Sequence, residues 1–116
     1  MSENFPETLQ EVTEGIELLQ GAIPDLMQAF GALGEAASEE AALSPKVKEL
    51  ISLAIAVSVR CDGCIAYHAK AVADCGATRA EVAEAIGTAI HMGGGPSVVY
   101  GGAALRAFDA FLQDHG

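Results

Sequence analysis

Apolar side chains recur at three- and four-residue spacing in six stretches of the chain, which predicts an all-α fold. Prolines mark the boundaries, because proline is tolerated in the first turn of a helix. Pro6, Pro24, Pro45 and Pro96 each open one periodic stretch. No stretch alternates apolar and polar residues between hairpin turn signals, so no strand is predicted. The pattern therefore predicts one domain over residues 1–116, a six-helix bundle.

Start and stop signals place the predicted helices. Ser44 before Pro45 is an N-cap signal, and Thr78-Arg-Ala-Glu81 has the pattern of a capping box. Gly76 is expected to end the fourth helix in the left-handed conformation. Helix five ends before the triple glycine at 93–95. The other helices are predicted at about residues 6–19, 24–36, 45–59, 61–74 and 96–112. In helix six, Val99, Leu105 and Phe108 are expected to face inward.

The third predicted helix has a second half that is apolar almost all round, which is typical of a central, buried helix. Glu49 lies on the same side of it as Leu53 and Ala56, three and four residues apart along the helix. We expect this carboxylate to be partly desolvated, an environment that suits proton transfer.

The candidate chemistry follows directly after this helix. Cys61 and Cys64 are spaced i, i+3, which on a helix puts their Cα atoms about 5–6 Å apart, within disulfide reach. His68 lies one turn beyond Cys64 on the same face. A helix N-terminus favours a thiolate, and an imidazole can take the thiol proton. With Glu49 to orient the imidazole, the set has the parts of a thiol redox relay.

The third cysteine, Cys75, lies two turns beyond His68 and next to the Gly76 cap. That position is too far from Cys61 or Cys64 for a disulfide within an intact helix. We expect Cys75 to be a small buried hydrophobic residue.

Composition adds an expectation about assembly. The chain has 116 residues, of which 51% are apolar and only 5% aromatic, with no Trp. The core must then consist of small aliphatic side chains with close helix contacts. A chain of this size hides apolar surface inefficiently by itself. Together with a mean hydropathy of +0.32, this predicts an obligate homo-oligomer.

Charge and targeting signals exclude several partners. The net charge is -10, and the first 45 residues carry no Lys or Arg, so the chain repels nucleic-acid phosphates. The acidic N-terminus differs from a signal peptide, and the apolar run from Leu50 to Val59 is too short to span a bilayer. Three cysteines are too few for a secreted disulfide framework. We therefore predict a cytoplasmic protein without a membrane or nucleic-acid partner.

Taken together, these residues resemble a known family. Glu49, Cys61-x-x-Cys64 and His68 at this spacing are similar to the signature of the carboxymuconolactone decarboxylase / alkylhydroperoxidase D-like superfamily. The flanking segments 43–51, 76–82 and 92–100 are also typical of it, and the likeness covers about residues 24–112.

The resemblance implies an all-helical alkylhydroperoxidase D-like bundle that assembles as a trimer or hexamer. It also implies a thiol-dependent peroxidase or disulfide reductase without a bound cofactor. By that analogy Cys64 attacks the peroxide, Cys61 resolves the sulfenic acid as a disulfide, and His68 and Glu49 relay protons. A dithiol donor, either a lipoyl-bearing or a thioredoxin-like protein, then restores the thiols. Peroxidase members often carry a histidine where this chain has Gly63, beside Asp62. The missing imidazole and the negative charge of Asp62 favour thiol–disulfide exchange over peroxide turnover.

Two other functions remain open from the sequence. Cys61, Cys64 and His68 could form part of a metal-binding or redox-sensing module without turnover, although zinc needs a fourth ligand such as Cys75. The chain could also be a lyase that acts on a small organic acid or lactone, with the cysteines incidental.

Overall fold

The computed structural model describes residues 4–115, with side chains described as far as Gln113. Over this range the chain is all-α, as predicted, and no strand is present. The helices run in the order α1 (Phe5–Ala22), α2 (Pro24–Ser38), α3 (Pro45–Ser58), α4 (Asp62–Asp74), α5 (Arg79–Gly93) and α6 (Gly95–His115). The predicted boundaries agree with these to within about three residues, the scatter expected where helix ends fray.

The helix starts are capped as the sequence indicates. The Ser44 side chain accepts the N–H of Val47 at 3.2 Å, at the start of α3. At the start of α5 the Thr78 hydroxyl accepts the N–H of Glu81 at 3.1 Å, and the Glu81 carboxylate accepts the N–H of Thr78 at 2.8 Å. These reciprocal bonds satisfy two backbone donors that have no partner within the helix. Gly76 follows α4 with φ 78°, the left-handed conformation that glycine adopts without a Cβ penalty.

Helices α3, α4, α5 and α6 form the core, and α1 packs across α4 and α6. The buried side chains are mostly small, as the composition predicts, and nine of them are alanines: Ala56, Ala66, Ala69, Ala73, Ala77, Ala89, Ala103, Ala104 and Ala107. The largest fully buried side chains are Phe108 and Leu53. Small residues at the contacts let the helices approach closely, which fixes the relative position of α3 and α4.

Helices α5 and α6 pack tightly against each other at Gly101. A Cβ at this position would lie 2.7 Å from Cγ2 of Ile86, closer than nonbonded carbons approach. The neighbouring Gly102 has open space around its Cα. Of this pair of glycines, only Gly101 is therefore required by a close contact.

Two predictions about burial are wrong, those for Val99 and for the whole circumference of α3. Val99 is 56% exposed, because it lies on the outer face of the first turns of α6. Helix α3 is not buried on all sides, since Ile51, Ile55 and Val59 are exposed on the face away from α4 and α5. Helix α2 keeps its predicted apolar stripe, but the structure contains no buried residue in this helix. Periodicity identifies an apolar face, whereas burial depends on what packs against it.

No helix within the described range 4–115 is both long and apolar enough to cross a membrane.

Candidate active site

The turn between α3 and α4 positions the two cysteines. Arg60 adopts the left-handed conformation with φ 58°, which is uncommon for a residue with a side chain. The N–H groups of Arg60 and Cys61 bond back to the carbonyls of Val57 and Ala56, both at 3.2 Å. The chain therefore reverses within a few residues, and Cys61 becomes the N-cap of α4. Backbone strain of this kind often occurs next to functional side chains.

Cys61 and Cys64 form a disulfide across the first turn of α4, with their Cα atoms 5.2 Å apart. The backbone N–H of Cys64 also donates to Sγ of Cys61 at 3.1 Å. Both cysteines are partly buried, and Cys64 packs against the core. The sulfur atoms lie at the helix N-terminus, where free N–H groups and the helix dipole stabilise negative charge on sulfur.

A second pair joins α3 to α4 beside the disulfide. Nδ1 of His68 and Oε2 of Glu49 lie 2.7 Å apart, a short hydrogen bond between the two helices. The side chains are only 26% and 18% exposed, so the carboxylate is largely desolvated, as the sequence predicts. The bond fixes the plane of the imidazole. The Tyr67 ring meets the His68 ring edge to face, with centroids 5.1 Å apart, and limits its motion further.

The four predicted side chains thus form two contacts, Cys61 with Cys64 and Glu49 with His68. His68 follows Cys64 by four residues on one helix, so the pairs lie on the same side of α4. This arrangement couples a two-electron thiol–disulfide pair to a group that can accept and return a proton.

Helix α1 packs against the cysteine turn from another side. A Cβ at Gly63 would lie 3.0 Å from Cγ2 of Val12, so this glycine is in tight contact with α1. The contact gives a physical reason for glycine between the cysteines, since the Val12 side chain would have to shift to admit a larger residue. The sequence offers no signal for this pairing, because the two residues are far apart in the chain. The strained turn at Arg60 is likewise invisible in the sequence, since arginine carries no preference for positive φ.

The prediction that Cys75 is buried is wrong, because this cysteine is exposed; as predicted, it forms no disulfide. It follows the last turn of α4, where the chain is already at the surface. Partial desolvation raises the pKa of its thiol, and the nearby carboxylates of Glu49 and Asp74 raise it further. A smaller fraction of this thiol is therefore ionised at neutral pH, which makes Cys75 a weak nucleophile.

The described part of the chain contains no preformed metal site. Between residues 4 and 113, no group of three or more His, Cys, Asp or Glu side chains is arranged to hold a metal ion. The geometry therefore lends no support to the metal-binding alternative.

An open depression of about 460 Å³ lies elsewhere, between the start of α1 and the end of α6. Residues that line it include Asn4, Arg106 and Asp109. None of the four predicted site residues lines this depression, so it is separate from the cysteine site.

Comparisons with known proteins agree with this geometry. The sequence model of the Carboxymuconolactone decarboxylase family matches residues 24–110. A crystal structure of an apo carboxymuconolactone decarboxylase family protein from Legionella pneumophila superimposes with a TM-score of 0.93. The two proteins are 40% identical, and the match covers 96% of this chain and 99% of that one.

Relatives with curated sequences are similar over comparable lengths. An uncharacterized protein of Cupriavidus necator is 37% identical over 110 residues, which is 95% of this chain and 97% of the relative. A protein of the cox locus of Paracoccus denitrificans is 35% identical over 81 residues, 70% of this chain and 73% of that protein. The match of the family model to most of the chain, the fold and the Cys-x-x-Cys site lead to one conclusion: the chain belongs to the carboxymuconolactone decarboxylase family, within the alkylhydroperoxidase D-like superfamily.

Proposed function

We propose that this protein is a thiol oxidoreductase, in which the Cys61–Cys64 couple reduces a peroxide or a disulfide and the His68–Glu49 pair moves the protons. The observation that carries the proposal is the disulfide at the N-terminus of α4, placed on the same side of the helix as the 2.7 Å His68–Glu49 contact. Members of this family are enzymes, either decarboxylases or peroxidases of the alkylhydroperoxidase D type. The paired cysteines favour the second activity.

With a peroxide as substrate, the Cys64 thiolate attacks one oxygen of the O–O bond. The S–O bond forms, the O–O bond breaks, and an alcohol or water leaves after it takes up a proton. Cys64 is then a sulfenic acid, and the peroxide has been reduced by two electrons. The sulfur of Cys64 is the nucleophile in this scheme, because its backbone lies within the first turn of α4 and feels the helix dipole.

The Cys61 thiolate then attacks the sulfur of Cys64. The S–S bond forms and the S–O bond breaks. The leaving oxygen departs as water with the proton of the Cys61 thiol, which the imidazole has taken up and returned. With a disulfide as substrate, the same two cysteines act by exchange through a mixed disulfide. A dithiol donor, lipoyl-bearing or thioredoxin-like, supplies two electrons and two protons and restores both thiols. The scheme uses no bound cofactor or metal.

His68 supplies the base in this scheme. When Nδ1–H donates to the Glu49 carboxylate, the lone pair of the ring lies on Nε2. That nitrogen accepts the proton of the Cys64 thiol and returns it to the leaving oxygen. The Glu49 carboxylate stabilises the imidazolium between these two transfers.

Gly63 bears on the choice of substrate. A histidine at this position would add a second proton path, but its Cβ would meet Cγ2 of Val12 at 3.0 Å. We therefore propose that thiol–disulfide exchange is faster than peroxide turnover. We also propose that the protein acts in the cytoplasm as a homo-oligomer, a trimer or hexamer by the family resemblance.

The decisive experiment follows thiols and intact mass during oxidation by peroxide and reduction by a dithiol. Oxidation should remove the mass of two hydrogen atoms from each chain, and the dithiol should restore it. Cys64→Ser should abolish peroxide consumption, whereas Cys61→Ser should allow one turnover and then stall. Cys75→Ser is the matched control, because this exposed thiol lies outside the couple, and it should behave as the unmodified protein.

The same variants separate the alternatives. Full peroxide and disulfide activity in both Cys61→Ser and Cys64→Ser would refute the proposal. Lyase activity on an organic acid or lactone that survives both substitutions would identify the second branch of the family. Stoichiometric zinc released by a thiol reagent would identify a metal-binding module instead.

A further inference from the structure

Helix α2 presents an unpartnered apolar stripe. Leu26, Phe30 and Leu33 are spaced i, i+4 and i+7, so they lie on one side of the helix. They are 61%, 65% and 64% exposed, although each is a large apolar side chain. The structure contains no buried residue in this 15-residue helix, whose few contacts are with α1 and α3. The apolar face of α2, which would normally anchor the helix by packing against other helices, is therefore exposed to solvent.

Helix α3 presents a second stripe of the same form, on the face away from the core. Ile51, Ile55 and Val59 are spaced i, i+4 and i+8 and are 45%, 56% and 63% exposed. The two stripes have similar length and consist of aliphatic or aromatic side chains, so each has the composition of an interface core.

The charges around the two stripes are opposite. The part of the chain that contains α1 and α2 carries nine acidic residues up to position 45 and no Lys or Arg. The α3 stripe begins beside Lys48 and ends beside Arg60. Lys48 bonds only to a backbone carbonyl, that of Glu39, at 2.6 Å, and Arg60 makes no ion pair with the residues described. Contact between two α2 helices would bring acidic surfaces together, whereas contact between α2 and α3 joins opposite charges.

We infer that the α2 stripe of one copy packs on the α3 stripe of the next copy. This contact is heterologous, because it joins different surfaces of the two chains. An open row of copies then keeps one free α3 stripe at one end and one free α2 stripe at the other, and a closed ring leaves neither free. The inference specifies the contact behind the proposed self-association, on which it rests, and it is independent of the redox chemistry.

The contact would lie at the edge of the cysteine site. Val59, the last residue of the α3 stripe, is separated from Cys61 only by Arg60, and Glu49 lies on the same helix. A neighbouring α2 helix would thus cover one side of the α3–α4 turn that holds the cysteines. A second copy packed on α3 would therefore limit access to the Cys61–Cys64 couple from this side.

The first test places a charge in the middle of each stripe. Phe30→Asp and Ile55→Asp should each lower the mass measured by light scattering to that of the monomer, with an unchanged far-UV spectrum. Met92→Asp is the matched control, because Met92 is 78% exposed on α5 and outside both stripes, and it should keep the native mass. A monomeric unmodified protein, or native mass in either stripe variant, would overturn the inference.

Mixing the two stripe variants tests the head-to-tail arrangement. Phe30→Asp retains an intact α3 stripe and Ile55→Asp an intact α2 stripe, so the mixture can form one good contact. A heterodimer should therefore appear, with no larger species. If α2 instead paired with α2, Ile55→Asp would keep the native assembly and no heterodimer would form, which would refute the inference.

A milder pair of variants covers the case in which the stripe variants fail to fold. Arg60→Glu replaces one exposed charge by another and should weaken association at least tenfold, with an effect that falls in high salt. Arg106→Glu is its control, since this arginine is also exposed and unpaired among the described residues but lies on α6. Equal effects of the two variants would contradict the charge argument. Oxidation of the Cys61–Cys64 couple, read by intact mass in the same samples, tests the proposed function separately.

Discussion

A single hydrogen bond orients the base in the proposed mechanism. The His68 ring is held from one side by the Glu49 carboxylate and along one edge by Tyr67. Neither contact touches a sulfur atom, so their effect on the cysteines is indirect. Their role is to hold the imidazole in one tautomer and one plane on the same side of α4 as Cys64.

Glu49→Gln tests this role, because the amide keeps the size of the side chain and removes its charge. We expect thiol oxidation to slow by roughly 10-fold to 100-fold. A positioned general base accelerates a reaction by about 10²-fold to 10⁴-fold, and the loss of Glu49 removes only part of that acceleration. Stopped-flow measurement of thiol loss, with far-UV spectra as a folding check, gives the rate. Glu81→Gln is the control, since it removes a carboxylate in the ion pair with Lys46, outside the site. Equal rates for Glu49→Gln and the unmodified protein would count against the relay.

Gly63 is a second residue whose role depends on a contact distant in sequence. Gly63→His should lower the free energy of unfolding by about 1–3 kcal/mol, because the new Cβ meets Val12 at 3.0 Å. Val12→Ala in the same chain should recover part of that loss, and a double-mutant cycle in urea measures the coupling. Gly87→His is the matched control, with open space around its Cα. If the effects of Gly63→His and Val12→Ala were simply additive, the contact between the two residues would not be the cause of the destabilisation.

At the scale of the elements, the packing of α5 on α6 sets the width of the core. Helix α6 provides Phe108, the largest fully buried side chain, and several alanines. Close approach of the two helices depends on Gly101, where Ile86 occupies the space that a Cβ would need. The adjacent Gly102 is exposed and has no such neighbour.

These two glycines allow a paired prediction at fixed protein concentration. Gly101→Ala should destabilise the fold by about 1–3 kcal/mol, because the methyl group forces the helices apart. Gly102→Ala should stabilise it by about 0.5–1 kcal/mol, because alanine loses less backbone entropy in a helix. Urea unfolding of both variants measures the difference. A shift of the same sign in both would show that the close contact is unimportant.

For the whole molecule, the balance of buried and exposed apolar surface favours assembly. The core of α3 to α6 is complete within one chain, whereas α2 and the outer face of α3 leave large apolar side chains exposed. In the proposed assembly, burial of that surface between copies would add stability that depends on protein concentration.

We therefore expect the melting temperature of the unmodified protein to rise with protein concentration over a hundredfold range. The physical reason is mass action, since a higher concentration favours the assembled native state. In Phe30→Asp, which should be monomeric, the melting temperature should be constant over the same range. Differential scanning calorimetry at several concentrations measures both, and a concentration-independent melting temperature in the unmodified protein would contradict self-association.

Much of this architecture could be predicted from local sequence signals. The prolines that open α2 and α3, the Ser44 N-cap, the capping box of α5 and the Gly76 stop depend on residues within one turn of each other. The spacing of Cys61, Cys64 and His68 is also local, because a helix places such residues on one face. The contact of Glu49 with His68 spans two helices. It was predicted from the acid on the apolar face of the preceding helix, and the family resemblance implies the same pair.

Only the tertiary structure decided which surfaces are covered. Cys75 and Val99 belong to apolar stretches, yet they are exposed because no other helix reaches them. The contact of Gly63 with Val12 and the left-handed Arg60 arise from the way α1 and α3 meet α4. Periodicity along one chain specifies a helix and its apolar face, because both depend on neighbours in sequence. Burial instead depends on packing between helices that are distant in sequence. For α2, we propose that the packing partner is a second copy of the chain.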